Sequence, residues 1–171
     1  MTDRKLFGTN TLVNDFTKKL AQTNTIDGGW TIQYIDNLTG NQWLKYVVDE
    51  RGLFVNLIFN SPLPTTDELI EIAFNSKHTD EVSAAASRLN IDELTNKNEF
   101  RQKLIDKLNT VDTYQLDKSE KERFKTIILA SQLTDRVNKR EIIGKHFTQI
   151  EKDANFFNVT AESAENFLKL L

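Results

Sequence analysis

The 171-residue sequence has no cysteine and no long apolar run. Without cysteine there is neither a disulfide framework nor a cysteine nucleophile, and the composition fits a reducing compartment. A membrane-spanning helix needs about 18 or more consecutive apolar residues, and the sequence contains no such stretch. The N-terminal residues also lack the uninterrupted apolar core of a signal peptide. We therefore expect a cytoplasmic protein with no membrane span.

Motifs for catalysis and for cofactor binding are also missing. The two histidines, His78 and His146, do not have metal-ligand spacing, no serine lies in a G-x-S-x-G motif, and the six glycines never form a phosphate-binding loop. Asp36 and Asp49 lie in neighbouring predicted sheet loops and are the first carboxylates to inspect as an acid–base pair, although loop solvation also explains them. We expect a noncatalytic protein without metal or cofactor.

Length and composition predict the number of domains, and charge predicts the class of partner. The length and the hydrophobic fraction of 39% predict one globular domain over residues 1–171. The net charge is −3, and residues 61–116 hold ten acidic and six basic side chains. This balance argues against nucleic-acid binding and favours a basic protein partner. The alternative is that acids gather at helix N-termini, where the helix dipole favours them.

Pro62 and Pro64, the two prolines, divide the chain into a strand-rich and a helical part. Before them, the apolar spacing predicts a helix over residues 10–23, and period-two alternation predicts three strands within residues 30–60. The third of these strands, Leu53–Phe59, has four apolar residues on one face: Leu53, Val55, Leu57 and Phe59. Short connections between the strands favour an antiparallel meander. After the prolines, the pattern predicts a helical block over residues 65–171. The fold class is therefore α+β.

Capping residues predict where the helices of this block begin. Thr65 and Glu68 have capping-box spacing, so a helix should begin near Thr66, and Thr79 is placed to cap a second. The stretch Ile91–Leu94 reads as a helical turn or a connector. Later helices are predicted to begin near the following residues: Glu99, Asp117 or Ser119, Asn138 and Thr160.

The first predicted helix pair, residues 66–90, resembles one unit of the HEAT family of helical repeats. The resemblance is carried by the apolar run Leu69–Ala73 and by the segment Asp80–Ala86, which begins Asp-x-Val and continues into alanines. Ser83 departs from the family pattern, which has a basic residue after the valine. The resemblance implies a stack of helical hairpins; the alternative is an ordinary helix pair in a bundle.

Each of the two tryptophans, Trp30 and Trp43, is either an aromatic anchor for a ligand or partner or a core residue. Trp30 shares its predicted strand face with Ile32 and Tyr34, which favours packing in the core. Trp43 is either a core residue or, if its face points outward together with Lys45, an exposed anchor for a partner.

In size, acidity and aromatic pattern, the chain is also similar to immunity proteins that neutralise bacterial polymorphic toxins. The pattern is formed by Gly29, Trp30, Tyr34, Asp36, Thr39, Gly40, Trp43 and Tyr46. The resemblance implies that the protein binds and occludes a basic toxin domain. Trp43 is then the candidate anchor, and the candidate steering charges are Asp67, Glu71, Asp80 and Glu81. The competing hypotheses are a HEAT-like scaffold that holds a peptide in a groove, and an enzyme with a pocket between sheet and helices.

Overall fold

The computed structural model describes residues 3–49 and 51–171. Within these ranges it contains five strands in one antiparallel sheet and six α-helices, which confirms the α+β class. The elements are β1 Leu6–Phe7, α1 Asn10–Thr17, β2 Ala21–Ile26, β3 Thr31–Ile35, β4 Gln42–Val47, β5 Val55–Phe59, α2 Thr66–Asn75, α3 Thr79–Asn96, α4 Arg101–Leu108, α5 Lys118–Ala130 and α6 Phe147–Leu170.

Residue contacts divide the chain into two compact units, with the boundary between Ala85 and Ala86. The expectation of one domain over residues 1–171 stays a prediction. Among the residues that the structure describes, no helix combines the length and the apolar content needed to cross a bilayer.

The sheet of the first unit has the strand order β1-β5-β4-β3-β2. The predicted meander is present as β3, β4 and β5, but the predicted number of three strands is wrong, because β1 and β2 extend the sheet at its two edges. The helix predicted over residues 10–23 ends at Thr17, and Ala21–Ile26 is a strand. This strand reads AQTNTI, and it lacks the alternation of apolar residues by which strands are recognised.

One face of the sheet forms an aromatic core with α1. Trp43 pairs with Tyr34 on one side and with Phe59 on the other, so that their side chains form a row across the strands. Phe16 of α1 lies edge-on to Trp43, with ring centres 4.8 Å apart. The predicted shared face of Val55, Leu57 and Phe59 is confirmed, because all three belong to this cluster. The core fixes α1 against the sheet.

The helix α2 begins where its capping signal places it, whereas α3 begins one residue earlier than its predicted cap implies. Thr65 Oγ1 accepts a hydrogen bond from the Glu68 amide at 3.3 Å, and the Glu68 carboxylate accepts one from the Thr65 amide at 2.8 Å, which confirms the capping box. The carbonyl of His78 accepts the first bond of α3 from Val82, so His78 rather than Thr79 is its cap. Because α3 continues to Asn96, Ile91–Leu94 is helix rather than connector. The HEAT-like stacking stays a prediction.

In the second unit, Asp117 caps α5 as predicted, whereas the helix starts near Asn138 and Thr160 are wrong. Residues 134–146 are irregular, and Gly144 has a φ of 77°, which is unfavourable inside a right-handed helix. The Thr160 hydroxyl bonds back to the Phe156 carbonyl at 3.0 Å, inside α6. One helix therefore replaces two.

Arg101 is the largest fully buried side chain of the second unit, with 0% exposure. Its Nε donates to both oxygens of Glu93, at 3.0 and 3.1 Å, and its terminal nitrogens donate to carbonyls that include those of Leu133 and Asp135. The guanidinium carbon lies 4.6 Å from the centre of the Phe157 ring. Arg101 thus joins α3, the chain after α5, and α6.

Replacing Arg101 with alanine is expected to lower the free energy of unfolding by about 3–5 kcal/mol, because the Glu93 carboxylate then stays buried without its main partner. The matched control is Arg136→Ala, which removes the exposed pair between Arg136 and Glu165 and should cost at most about 1 kcal/mol. Urea denaturation measures both values. Equal losses for the two variants would contradict the role of Arg101.

Candidate protein-interaction surface

Two of the predicted steering acids, Asp80 and Glu81, have contacts that hold the N-terminal segment. Asp80 lies in the first turn of α3 and pairs with Arg4, while its Oδ2 accepts a hydrogen bond from the Gly8 amide at 3.0 Å. The backbone approaches closely here: a Cβ on Gly8 would lie 2.3 Å from the Asp80 carbonyl oxygen. Asp80 therefore fixes the chain that follows β1.

Glu81 is buried, with 5% exposure. Its Oε1 accepts hydrogen bonds from the amides of Lys5 and Leu6, at 2.8 and 3.0 Å, and its Oε2 accepts one from the Ser76 hydroxyl at 2.6 Å. A carboxylate with these three donors satisfies backbone groups at the edge of the sheet. This burial contradicts the expectation that Glu81 faces a partner.

The other two predicted steering acids, Asp67 and Glu71, lie exposed on α2. Glu71 Oε2 accepts a hydrogen bond from the Asn75 amide group at 2.9 Å, one turn further along the helix. Their charges therefore face solvent, and the steering role of this pair stays a prediction.

Trp43 lies in the core, with 3% exposure. Besides Phe16, it contacts Phe59 with ring centres 5.4 Å apart and Phe7 with ring centres 5.9 Å apart. Of the two interpretations, core packing is confirmed, and the outward orientation that an anchor at Trp43 requires is wrong. Its strand neighbours on both sides enclose the ring.

The core packing favoured for Trp30 is wrong, because 49% of the residue is exposed. It follows the turn Asp27–Gly29 and comes just before β3, where its carbonyl accepts a hydrogen bond from the Val47 amide at 3.1 Å. The six-membered part of its indole ring lies over Gly52, at 3.9 Å from the position that a Cβ would take there. The ring thus lies against the hairpin after β4, and the residue stays about half exposed.

Leu53 and Phe54 lie in the hairpin that carries Gly52 and are 59% and 63% exposed. The expectation that Leu53 shares the core face of β5 is thus wrong, since β5 begins only at Val55. We call the group formed by Trp30, Leu53 and Phe54 the sheet-end surface. All three lie at the same end of the sheet, where β3 begins, β4 ends and β5 begins. Large exposed apolar side chains are candidate contacts for a partner protein.

Hydrogen bonds hold the backbone under the sheet-end surface. Asp49 Oδ1 accepts from the Phe54 amide at 2.8 Å, and the Val48 amide donates to the Phe54 carbonyl at 3.0 Å. From α1, the Asn10 side chain donates to the Leu53 carbonyl at 2.7 Å and accepts from the Val55 amide at 3.0 Å. The surface is therefore presented by a fixed backbone, which lowers the entropy lost when a partner binds.

Asp36 and Asp49 do not form an acid–base pair. Asp36 lies in the loop before β4 and Asp49 in the loop after it, so the length of that strand separates them, about 20 Å for six residues. Hydrogen bonds from the backbone amide of Leu38 and the side chain of Thr39 lower the pKa of Asp36, and Asp49 closes its own hairpin. Both carboxylates stabilise the loops in which they lie.

The histidines also have local roles. His78 is exposed in the turn between α2 and α3, and the ring of His146 caps α6 by accepting a hydrogen bond from the Thr148 amide at 3.4 Å. In residues 3–49 and 51–171, no group of three or more histidine, aspartate or glutamate side chains is arranged to hold a metal ion.

Replacing Glu81 with glutamine is expected to lower the free energy of unfolding by about 1–2 kcal/mol, because a neutral amide oxygen accepts the two backbone amides more weakly than the carboxylate and the new NH2 group can no longer accept from the Ser76 hydroxyl. Glu71→Gln on the exposed face of α2 is the control and should stay within about 0.5 kcal/mol of the wild type. Thermal and urea unfolding measure the difference. A Glu81 variant as stable as this control would return Glu81 to the list of partner-binding acids.

The comparisons with protein-family models, with curated proteins and with solved structures found no match for this chain.

Proposed function

We propose that this protein is a noncatalytic interaction module that binds a partner protein and occludes it, in the manner of the immunity proteins that neutralise bacterial toxins. The observation that carries the proposal is the sheet-end surface, where Trp30, Leu53 and Phe54 are each about half or more exposed. Burying large apolar side chains on a fixed backbone yields the kind of central contact that dominates binding energies. Trp30 takes the anchoring role that the sequence assigned to Trp43.

Charge supports a basic partner. Residues 1–85 carry 11 acidic and 7 basic side chains, and Asp67, Glu68 and Glu71 lie exposed on α2. Since α2 follows the other end of β5, these acids act at a distance from the sheet-end surface. They would therefore raise the rate of association with a basic protein rather than form its central contact. A bacterial toxin domain with a basic active site has this chemistry, and the setting we propose is the cytoplasm.

The proposal is tested first by capture from native lysate with three baits: wild type, Trp30→Ala/Phe54→Ala, and Leu129→Ala. Leu129 is a matched control because it is 63% exposed and lies outside the sheet-end surface. For the captured protein, after purification, we expect each of Trp30→Ala and Phe54→Ala to weaken binding by about 30-fold, as an energetically dominant contact does. Leu129→Ala should change the affinity by less than about twofold.

Two results would contradict this assignment. Equal affinities of the Trp30 and Leu129 variants would remove the sheet-end surface as the anchor. A saturated complex in which the partner keeps its full activity would contradict occlusion and would support binding alone.

Reversal of Asp67 and Glu71 to lysine should lower the association rate and its dependence on salt, with little change in the dissociation rate.

A further inference from the structure

The second unit contains a pocket of about 260 Å³ that the proposed interaction does not use. Phe156 and Phe157 of α6 supply its apolar wall, with ring centres 5.6 Å apart in an edge-to-face arrangement. Charged side chains from α3, from the loop between α3 and α4, and from the irregular segment before α6 supply the rest of the lining. The volume lies just below the range of about 300–1,000 Å³ that is usual for drug-sized ligands, so the pocket suits a small molecule.

Lys139 brings a sheltered positive charge to the pocket, because its side chain is only 7% exposed. Its ammonium lies 2.8 Å from Asn90 Oδ1, 3.2 Å from the Asp135 carboxylate and 4.0 Å from the Glu93 carboxylate. Burial raises the pKa of Glu93 despite the charge of Arg101. The negative charge of a ligand is therefore disfavoured beside Glu93.

Arg140 and Lys145, which also line the pocket, favour an anion. Asp153 is 2% exposed and accepts hydrogen bonds from Lys145 at 2.6 Å and from Arg140 at 2.8 Å. These two cations lower the pKa of the Asp153 carboxyl to about 2. The Arg140 guanidinium also lies 4.3 Å from the centre of the Phe156 ring, so the charged and aromatic walls meet.

The charged side chains that line the pocket carry one more positive than negative charge. The cations are Lys97, Lys139, Arg140 and Lys145, and the carboxylates are Glu93, Glu99 and Glu141. Glu99 pairs with Arg140 Nε at 2.8 Å, and its side chain is 60% exposed. A ligand carboxylate beside Arg140 and Lys145 would add a negative charge where two donors already converge on Asp153.

We propose that this pocket binds a small aromatic monocarboxylate, with its ring against Phe156 and Phe157 and its carboxylate at Arg140 and Lys145. The ring adds to an edge-to-face aromatic pair, and the carboxylate takes hydrogen bonds from donors already fixed by Asp153. The site lies within the second unit and is independent of the proposed protein partner.

The test titrates the full-length ¹⁵N-labelled chain with four probes: phenylacetate, phenylacetamide, acetate and benzylammonium. Phenylacetate is expected to bind with a Kd on the order of 1 mM, as usual for a ligand of about ten heavy atoms, and to shift the amides of residues 139–157. The neutral amide and acetate should each bind at least about tenfold more weakly. Benzylammonium binding as tightly as phenylacetate would overturn the assigned charge, and no shift with any probe would overturn the site.

Lys145→Met keeps the length of the side chain, removes the ammonium and leaves Arg140 and Gln149 on Asp153. It should weaken phenylacetate binding about tenfold and leave phenylacetamide binding unchanged. Lys152→Met, at an exposed position of α6, is the control and should bind all probes as the wild type does. Equal loss for both phenyl probes would show a structural effect and contradict the carboxylate contact, and should Lys145→Met not fold, the probe series on the wild type decides.

Discussion

The carboxylates of α3 carry much of the polar pairing in both compact units. Asp80 and Glu81 in its first turn accept donors from the N-terminal segment, and Asp92 and Glu93 near its other end pair with Arg88 and Arg101. A buried donor without an acceptor costs about 1–3 kcal/mol, more when it is charged, so these pairs decide which segments are held in place. The acids of this helix are structural groups.

These contacts of the acids bear on where the proposed partner would be recognised. Of the predicted steering acids, Asp67 and Glu71 are exposed on α2, whereas Glu81 is buried and accepts hydrogen bonds at both oxygens. The apolar contact area that we propose lies elsewhere, at Trp30 and Phe54, and the indole ring lies over Gly52 of the hairpin after β4. The proposed function therefore places steering and anchoring in different parts of the first unit.

Local signals predicted the parts of the fold that depend on near neighbours. The capping box of Thr65 and the cap at Asp117 each involve residues three positions apart, and both helices begin where the sequence places them. Features that depend on distant contacts were missed. Leu6 bonds to Glu81 across 75 positions, the ring of Trp30 lies exposed over Gly52, and β2 is a polar edge strand that owes its structure to pairing with β3. Periodicity carries no signal for any of these three.

The most direct measurement of the central claim is amide hydrogen exchange, residue by residue, in the native wild-type protein. If the α3 carboxylates hold the N-terminal segment, the amides of Lys5, Leu6 and Gly8 exchange far more slowly than unstructured amides, and Leu6 approaches the protection of Leu57 in β5. Exchange of all three at the rates of an unfolded chain would contradict the account, and it would return Asp80 and Glu81 to the surface as charges available to a partner.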